Sequence, residues 1–289
     1  MVLGKIFGEP TMKQAYSFDD VLLTPKYSDI KSRSEVDLSA SLGDFKFSLP
    51  VISDPMDTIT EADMAATMYK AGGLGVVHRY NSIEAQARKV HAAYEQGAKN
   101  VGAAIGMTGN YLERAIAVVD CGANILCIDV AHGHHSAMEE CVGSLKERFG
   151  EEVHIMAGNV ATLAGFDALA SLGVDSVRVG IGGGSICSTR IVTGHGMPTL
   201  QSVFDCAQTT HTKTKIIADG GIKTTGDMVK AFAAGADFVM VGSLLSGTSE
   251  TPGDIFTRAS GKKYKVYRGM ASLAAQANWR GKSSTPEGI

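Results

Sequence analysis

Residues 215–243 read KIIADGGIKTTGDMVKAFAAGADFVMVGS, and this stretch decides the fold. Two short apolar runs, Lys215–Ala218 and Phe238–Val241, have the length and content of buried strands. Glycine-bearing turns follow them, Asp219-Gly220-Gly221 and Gly242-Ser243. Between them, Thr225–Ala234 carries apolar residues at i, i+3 and i+4 spacing, the mark of a helix with one covered face. The stretch is therefore one strand–turn–helix–strand unit, the building block of a parallel sheet.

The same unit recurs outward through the chain. Strands are expected at Pro50–Ser53, Gly73–Val77, Val101–Ile105, Ile125–Asp129, His154–Ala157 and Ser176–Val179, ahead of the two above. Helices are expected at Ala62–Ala71, Ile83–Gln96, Tyr111–Cys121, His135–Phe149, Thr162–Leu172 and Leu200–Thr209. Eight strands with helices between them fit a closed (β/α)8 barrel in a single domain; a doubly wound open sheet is the alternative. The count favours the barrel. So do the glycine turns after the seventh and eighth strands, where barrels use backbone N–H groups to hold phosphate. Residues 1–44 form a lead-in with strand-like runs, the second at Glu35–Leu38. Residues 45–289 form the barrel, with a C-terminal flap from about residue 270. Thr248–Gly261 reads as loop, Lys263–Met270 as a strand entering a turn, and Ser272–Asn278 as a short helix.

The chain has 289 residues, 44% of them hydrophobic, which suffices for one large core. A formal net charge of −3 offers no basic surface for nucleic acid or anionic membrane. No apolar run reaches the ~20 residues that span a bilayer, and residues 1–10 lack a signal-peptide core. The five cysteines form no C-x-x-C pair. That argues against a zinc site or a disulfide framework and fits a reducing cytoplasm.

Chemistry concentrates after the sixth strand, where residues 178–198 read RVGIGGGSICSTRIVTGHGMP. Gly180, Gly182, Gly183 and Gly184 exclude regular structure and allow the backbone to approach a ligand or ion closely. Cys187 at the end of that loop, at the mouth of a barrel, has the setting of a nucleophile, and Arg190 nearby would favour its thiolate. An incidental cysteine on a flexible loop is the plain alternative, outweighed by the glycine context.

The loop closely resembles that of the IMP dehydrogenase / GMP reductase family. So do residues 16–23 (YSFDDVLL), 53–58 (SDPMDT), 127–134 (CIDVAHGH), 157–162 (AGNVAT), 218–222 (ADGGI), 242–245 (GSLL) and 267–270 (YRGM), all in family order. The resemblance implies the same barrel and an oxidoreductase in which Cys187 attacks C2 of a purine mononucleotide. It implies that Thr189 moves a proton there and that Glu287 contacts the N1 edge of the base. Asp219 would grip the ribose hydroxyls, and Ser185, Gly221, Gly242, Ser243 and Tyr267 the phosphate. Ser53, Met56, Gly269 and Met270 would surround the base. Asp129, Asn159, Gly180 and Gly182 would meet the cofactor, NADPH or NAD. The carbonyls of Gly182, Gly184 and Cys187 would match a potassium site, and the assembly would be a homotetramer.

The resemblance leaves two directions open. Residues 56–61 (MDTITE), 78–84 (HRYNSIE), 132–134 (HGH) and 286–289 (PEGI) look like the dehydrogenase. The second strand is followed directly by its helix, with no room for the paired CBS domains that most dehydrogenases insert. The flap offers Trp279-Arg280-Gly281 in place of the dehydrogenase Arg-Tyr pair, and residues 261–265 (GKKYK) and 229–232 (VKAF) look like the reductase. On balance the sequence leans to GMP reductase (GMP and NADPH to IMP and ammonia). IMP dehydrogenase (IMP and NAD to XMP) is the alternative, and a nucleotide-binding barrel without catalysis the third reading. Gly183 and Thr199 stand where the family commonly has proline and glutamine.

Overall fold

The computed structural model describes residues 13–270 together with Ser272, Ala275, Ala277 and Trp279. Its first strands are β1 (Ala40–Leu42) and β2 (Phe45–Phe47), an antiparallel hairpin with Ala40 opposite Phe47. Eight parallel strands then close into a barrel: β3 (Val51–Ser53), β4 (Leu74–Val77), β5 (Gly102–Ile105), β6 (Ile125–Asp129), β7 (His154–Val160), β8 (Ser176–Val179), β9 (Lys215–Asp219) and β10 (Phe238–Val241). Each pairs with the next, and β10 returns to β3 with Met240 opposite Ile52. The expected strands and their order are all present, so the open-sheet alternative falls.

Helices cover the outside: α1 (Ala62–Lys70), α2 (Ile83–Glu95), α3 (Tyr111–Asp120), α4 (Ala137–Phe149), α5 (Leu163–Ser171), the short α6 (Thr189–Val192), α7 (Thr199–Cys206) and α8 (Thr225–Ala233). Thr224 starts α8 with a capping box: its side chain accepts the Asp227 N–H, and the Asp227 carboxylate accepts the Thr224 N–H at 3.0 Å. The period of two in the strands separates two cores. Ile52, Leu74, Val76, Ile125, Met156, Ile217, Phe238 and Met240 fill the barrel interior. Val51, Val77, Leu126, Ile128, Val177 and Val239 face the helices. The β1–β2 hairpin plugs the interior: Leu42 and Phe47 are buried there, and Phe47 meets Phe238 edge to face at 5.6 Å.

The lead-in differs from expectation. Phe18–Asp20 and Arg33–Glu35 are single 3-10 turns, and Val36–Leu38, expected as strand, has no regular structure. The cause at the first turn is local. Ser17 offers its N–H and hydroxyl to the Asp20 carboxylate at 2.7 and 2.6 Å, a competing bond that a strand would forgo. Lys230 on α8 donates to the Phe18 carbonyl at 2.7 Å, anchoring the segment to the barrel. At the other end, β11 (Phe256–Thr257) and β12 (Lys263–Tyr264) form a small hairpin, shorter than the strand expected over 263–270. Ala275, Ala277 and Trp279 have helical backbone, in keeping with the expected short helix.

Candidate active site

Parallel strands bring all their C-terminal ends to one rim, and the functional residues come from those ends. Ser53 ends β3, Asp129 ends β6, Asn159 lies near the end of β7, Asp219 ends β9, and Gly242 follows β10. The glycine loop after β8 lies across this rim. Gly180 has φ +147°, and a Cβ there would stand 1.9 Å from the Asp219 carbonyl oxygen. Only glycine lets the loop backbone touch β9 this closely.

One cavity is lined by Ser185, Asp219, Gly221, Gly242, Ser243 and Tyr267, all six among the residues expected at ribose and phosphate, with Asp54 and Gly184 beside them. Among the described residues its wall contains no lysine or arginine. The hydroxyls of Ser185, Ser243 and Tyr267 are side-chain donors on that lining. The Tyr267 hydroxyl faces Ser185, and burial pushes it above the usual phenol range. The segment carrying it is tied down: Arg268 donates to the Asp57 carboxylate, and the Asp57 N–H donates to Met270 Sδ at 3.4 Å. Gly269 lies against the Ile186 carbonyl, where a Cβ would come within 3.2 Å. Met56, buried, points its sulfur at Gly242.

Cys187 is half-buried, and its thiol donates to Thr189 Oγ1 at 3.2 Å. The Arg190 guanidinium donates to the Met197 carbonyl at 3.1 Å. The two positions that depart from the family pattern meet in space. A Cβ on Gly183 would stand 2.3 Å from Thr199 Oγ1, so the bare glycine is what lets Thr199 sit under the loop.

Behind the cavity, Arg178 is buried and holds Asp129 at 2.7 Å and Asp219 at 2.9 Å. Arg178 is thus the hub of the rim. Asn159 bridges the Gly180 carbonyl (2.9 Å) and the Asp219 carboxylate (2.6 Å), tying the loop to the hub. Burial alone would raise the Asp129 carboxyl, but Arg178 and Arg79 more than offset it and hold it below the ordinary range. Arg79 stacks over the rings of Tyr80 (5.0 Å) and Trp279 (5.7 Å), and the Tyr80 hydroxyl donates to Asp129 at 3.4 Å.

The cavity brings together the residues expected at ribose and phosphate, with Gly184; the other expected residues do not line it. Ser53 is buried beneath it, with its hydroxyl accepting from Thr60 at 2.8 Å. Glu287 and Arg280 lie outside the described residues. The sequence reading gave no role to Asp54, Arg79 or Tyr80. Their signal was position: they stand one, two and three residues past the ends of β3 and β4, at the rim.

A closed barrel with a cysteine-bearing glycine loop beside a rim cavity is the frame of a barrel enzyme, and comparison with known proteins gives its family. The description "IMP dehydrogenase / GMP reductase domain" matches residues 15–288. A solved IMP dehydrogenase from Legionella pneumophila superposes with TM-score 0.83 at 46% identity, covering 96% of this chain and 84% of that one. An inosine-5'-monophosphate dehydrogenase of Nitrosopumilus maritimus is 33% identical over 94% of this chain and 83% of its own length. GMP reductase 2 of Bos taurus is 39% identical over 91% of this chain and 77% of its own. The chain belongs to the IMP dehydrogenase / GMP reductase family and is an NAD(P)-dependent oxidoreductase of that family.

Proposed function

We propose that the protein is an IMP dehydrogenase, oxidising IMP to XMP with NAD. The lean toward GMP reductase drawn from the sequence is reversed, because curated relatives named IMP dehydrogenase and the solved Legionella enzyme support the alternative better. The missing Arg-Tyr flap pair that carried the lean concerns Trp279-Arg280, of which only Trp279 is described. Reduction of GMP remains the second reading, favoured by the 39% identity to the bovine reductase.

The observation carrying the covalent mechanism is the Cys187–Thr189 pair beside the rim cavity. The ribose would hang from Asp219 and the phosphate from Ser185, Gly221, Gly242, Ser243 and Tyr267. The base would then lie between Ser53, Met56, Gly269 and Met270, with C2 at Cys187. The sulfur attacks C2 and forms a C–S bond, while Thr189 Oγ1 takes up the thiol hydrogen bond and passes the proton on. NAD, when bound, accepts the hydride that leaves C2. Water then cleaves the C–S bond, and XMP departs. Glu287 is assigned to the N1 edge of the base.

The nicotinamide end of NAD is assigned to Asp129, Asn159, Gly180 and Gly182. The fit has local support: among the described residues Arg79 Nε is buried without a hydrogen bond, its ion-pair contact being Asp129 at 3.6 Å, and the rings of Tyr80 and Trp279 lie beside it. Potassium is assigned to the carbonyls of Gly182, Gly184 and Cys187; that of Gly184 also accepts the Cys187 N–H at 3.2 Å and keeps a second lone pair. A cytoplasmic homotetramer is the expected form, and no described helix is long and apolar enough to cross a membrane.

Incubation with IMP and NAD followed by rapid acid quench and mass spectrometry tests the mechanism. The wild type should carry a nucleotide adduct on the peptide containing Cys187. Cys187→Ala should bind IMP yet form no adduct and show no turnover. Turnover by Cys187→Ala would reject the mechanism.

A further inference from the structure

Asp54 lines the nucleotide cavity and has no part in the chemistry above. It follows the last residue of β3 and opens into the same space as Ser185, Asp219, Gly242 and Tyr267. A Cβ on Gly242 would lie 3.3 Å from its Oδ2, from Met56 Sδ and from the Tyr267 hydroxyl. Its carboxyl therefore borders the backbone assigned to phosphate. Among the described residues that carboxyl makes no hydrogen bond; its ion-pair partner is Arg178, whose Nη2 is 3.7 Å away.

Arg178 is already committed to Asp129 and Asp219 at 2.7 and 2.9 Å. One guanidinium thus faces three carboxylates. The other groups packed around the cluster do not restore the balance. Arg79, after β4, pairs with Asp129; Tyr80 donates to Asp129; Cys127 on β6 accepts from Arg178; Tyr267 faces Ser185. Burial, then the charge on Asp219, pushes the Asp54 carboxyl up to about 8. A phosphate dianion laid on Gly242 and Ser243 adds negative charge against this carboxyl, in a cavity whose described lining holds no lysine or arginine. Ionised, Asp54 would repel it. Protonated, it carries no charge and supplies an O–H donor to an anion.

We propose that Asp54 binds the nucleotide as the neutral acid, donating its hydroxyl proton to the ligand, so that loading the cavity takes up a proton from solvent. The proposal rests on the purine-mononucleotide reading. It makes Asp54 a binding residue that couples affinity to pH.

Titration calorimetry with IMP at about pH 7 and about pH 9, in two buffers of different ionisation enthalpy, tests it. At the higher pH, wild-type protein should take up close to one proton per nucleotide, and its affinity should fall up to about tenfold per pH unit above about 8. Asp54→Asn, neutral at both values, should show no such uptake and a flat affinity. Asp54→Ser is the second variant should the first lose its melting transition. Equal uptake in wild type and both variants, or IMP binding by wild type without uptake, would overturn the proposal. Absence of any binding heat with IMP or GMP would overturn the nucleotide reading itself, and shows as missing heat rather than as buffer independence.

Discussion

The chemistry depends on a few side chains whose roles follow from their neighbours. Cys187 donates to Thr189 at 3.2 Å, so the hydroxyl is the nearest relay for the thiol proton. Thr189→Val keeps the shape and removes the oxygen. It should lower kcat by about 10²-fold, the usual worth of one general acid–base group, with IMP affinity little changed; steady-state kinetics checks this. Asp54 has a separate effect on stability. Its carboxyl stands near 8 in the folded chain against 3.8 as the ordinary value. Its contribution to folding is therefore fully present below about pH 4 and is lost as pH rises to about 8. Asp54→Asn should melt progressively higher than wild type across that window, and the gap should stay constant above it. Scanning calorimetry from about pH 4 to about pH 9 reads this, and a gap that shrinks with rising pH would contradict it. Cys187 was legible in the sequence because four glycines mark its loop. Asp54 was not, because its state depends on Arg178, Asp129 and Asp219, brought together from three other strands.

Among elements, the strand ends and the glycine loop fix one another. Gly180 leaves β8 with its backbone against the Asp219 carbonyl at the end of β9. Gly180→Ala puts a methyl group there at positive φ and pushes the loop off the rim. It should cost turnover far more than melting temperature, since the loop carries Cys187 while both cores stay intact; parallel assays of activity and melting separate the two. The strands were readable because each is a short apolar run with a turn signal behind it. The lead-in misled for the opposite reason: the apolar run after Ser17 looks extended, yet Ser17 bonds Asp20 and turns the chain. The Gly183–Thr199 contact was visible in sequence only as two separate departures, and its meaning came from the packing of α7 beneath the loop.

At the scale of the molecule, the barrel is a closed frame with the proposed nucleotide cavity at one rim and a hairpin plug in its interior. The alignment with the Nitrosopumilus dehydrogenase runs over 397 positions, more than the 289 residues of this chain, so that relative carries an inserted segment lacking here. The alignment with the bovine reductase runs over 273. The alignment without a long insertion thus resembles the reductase, while the relatives by name favour the dehydrogenase, and the functional account turns on reaction direction. The direct measurement is absorbance of the reduced nicotinamide cofactor in two mixtures, one with IMP and NAD, the other with GMP and NADPH. The account predicts a rise in the first and no change in the second. A fall in the second with no change in the first would contradict it and make the protein a GMP reductase.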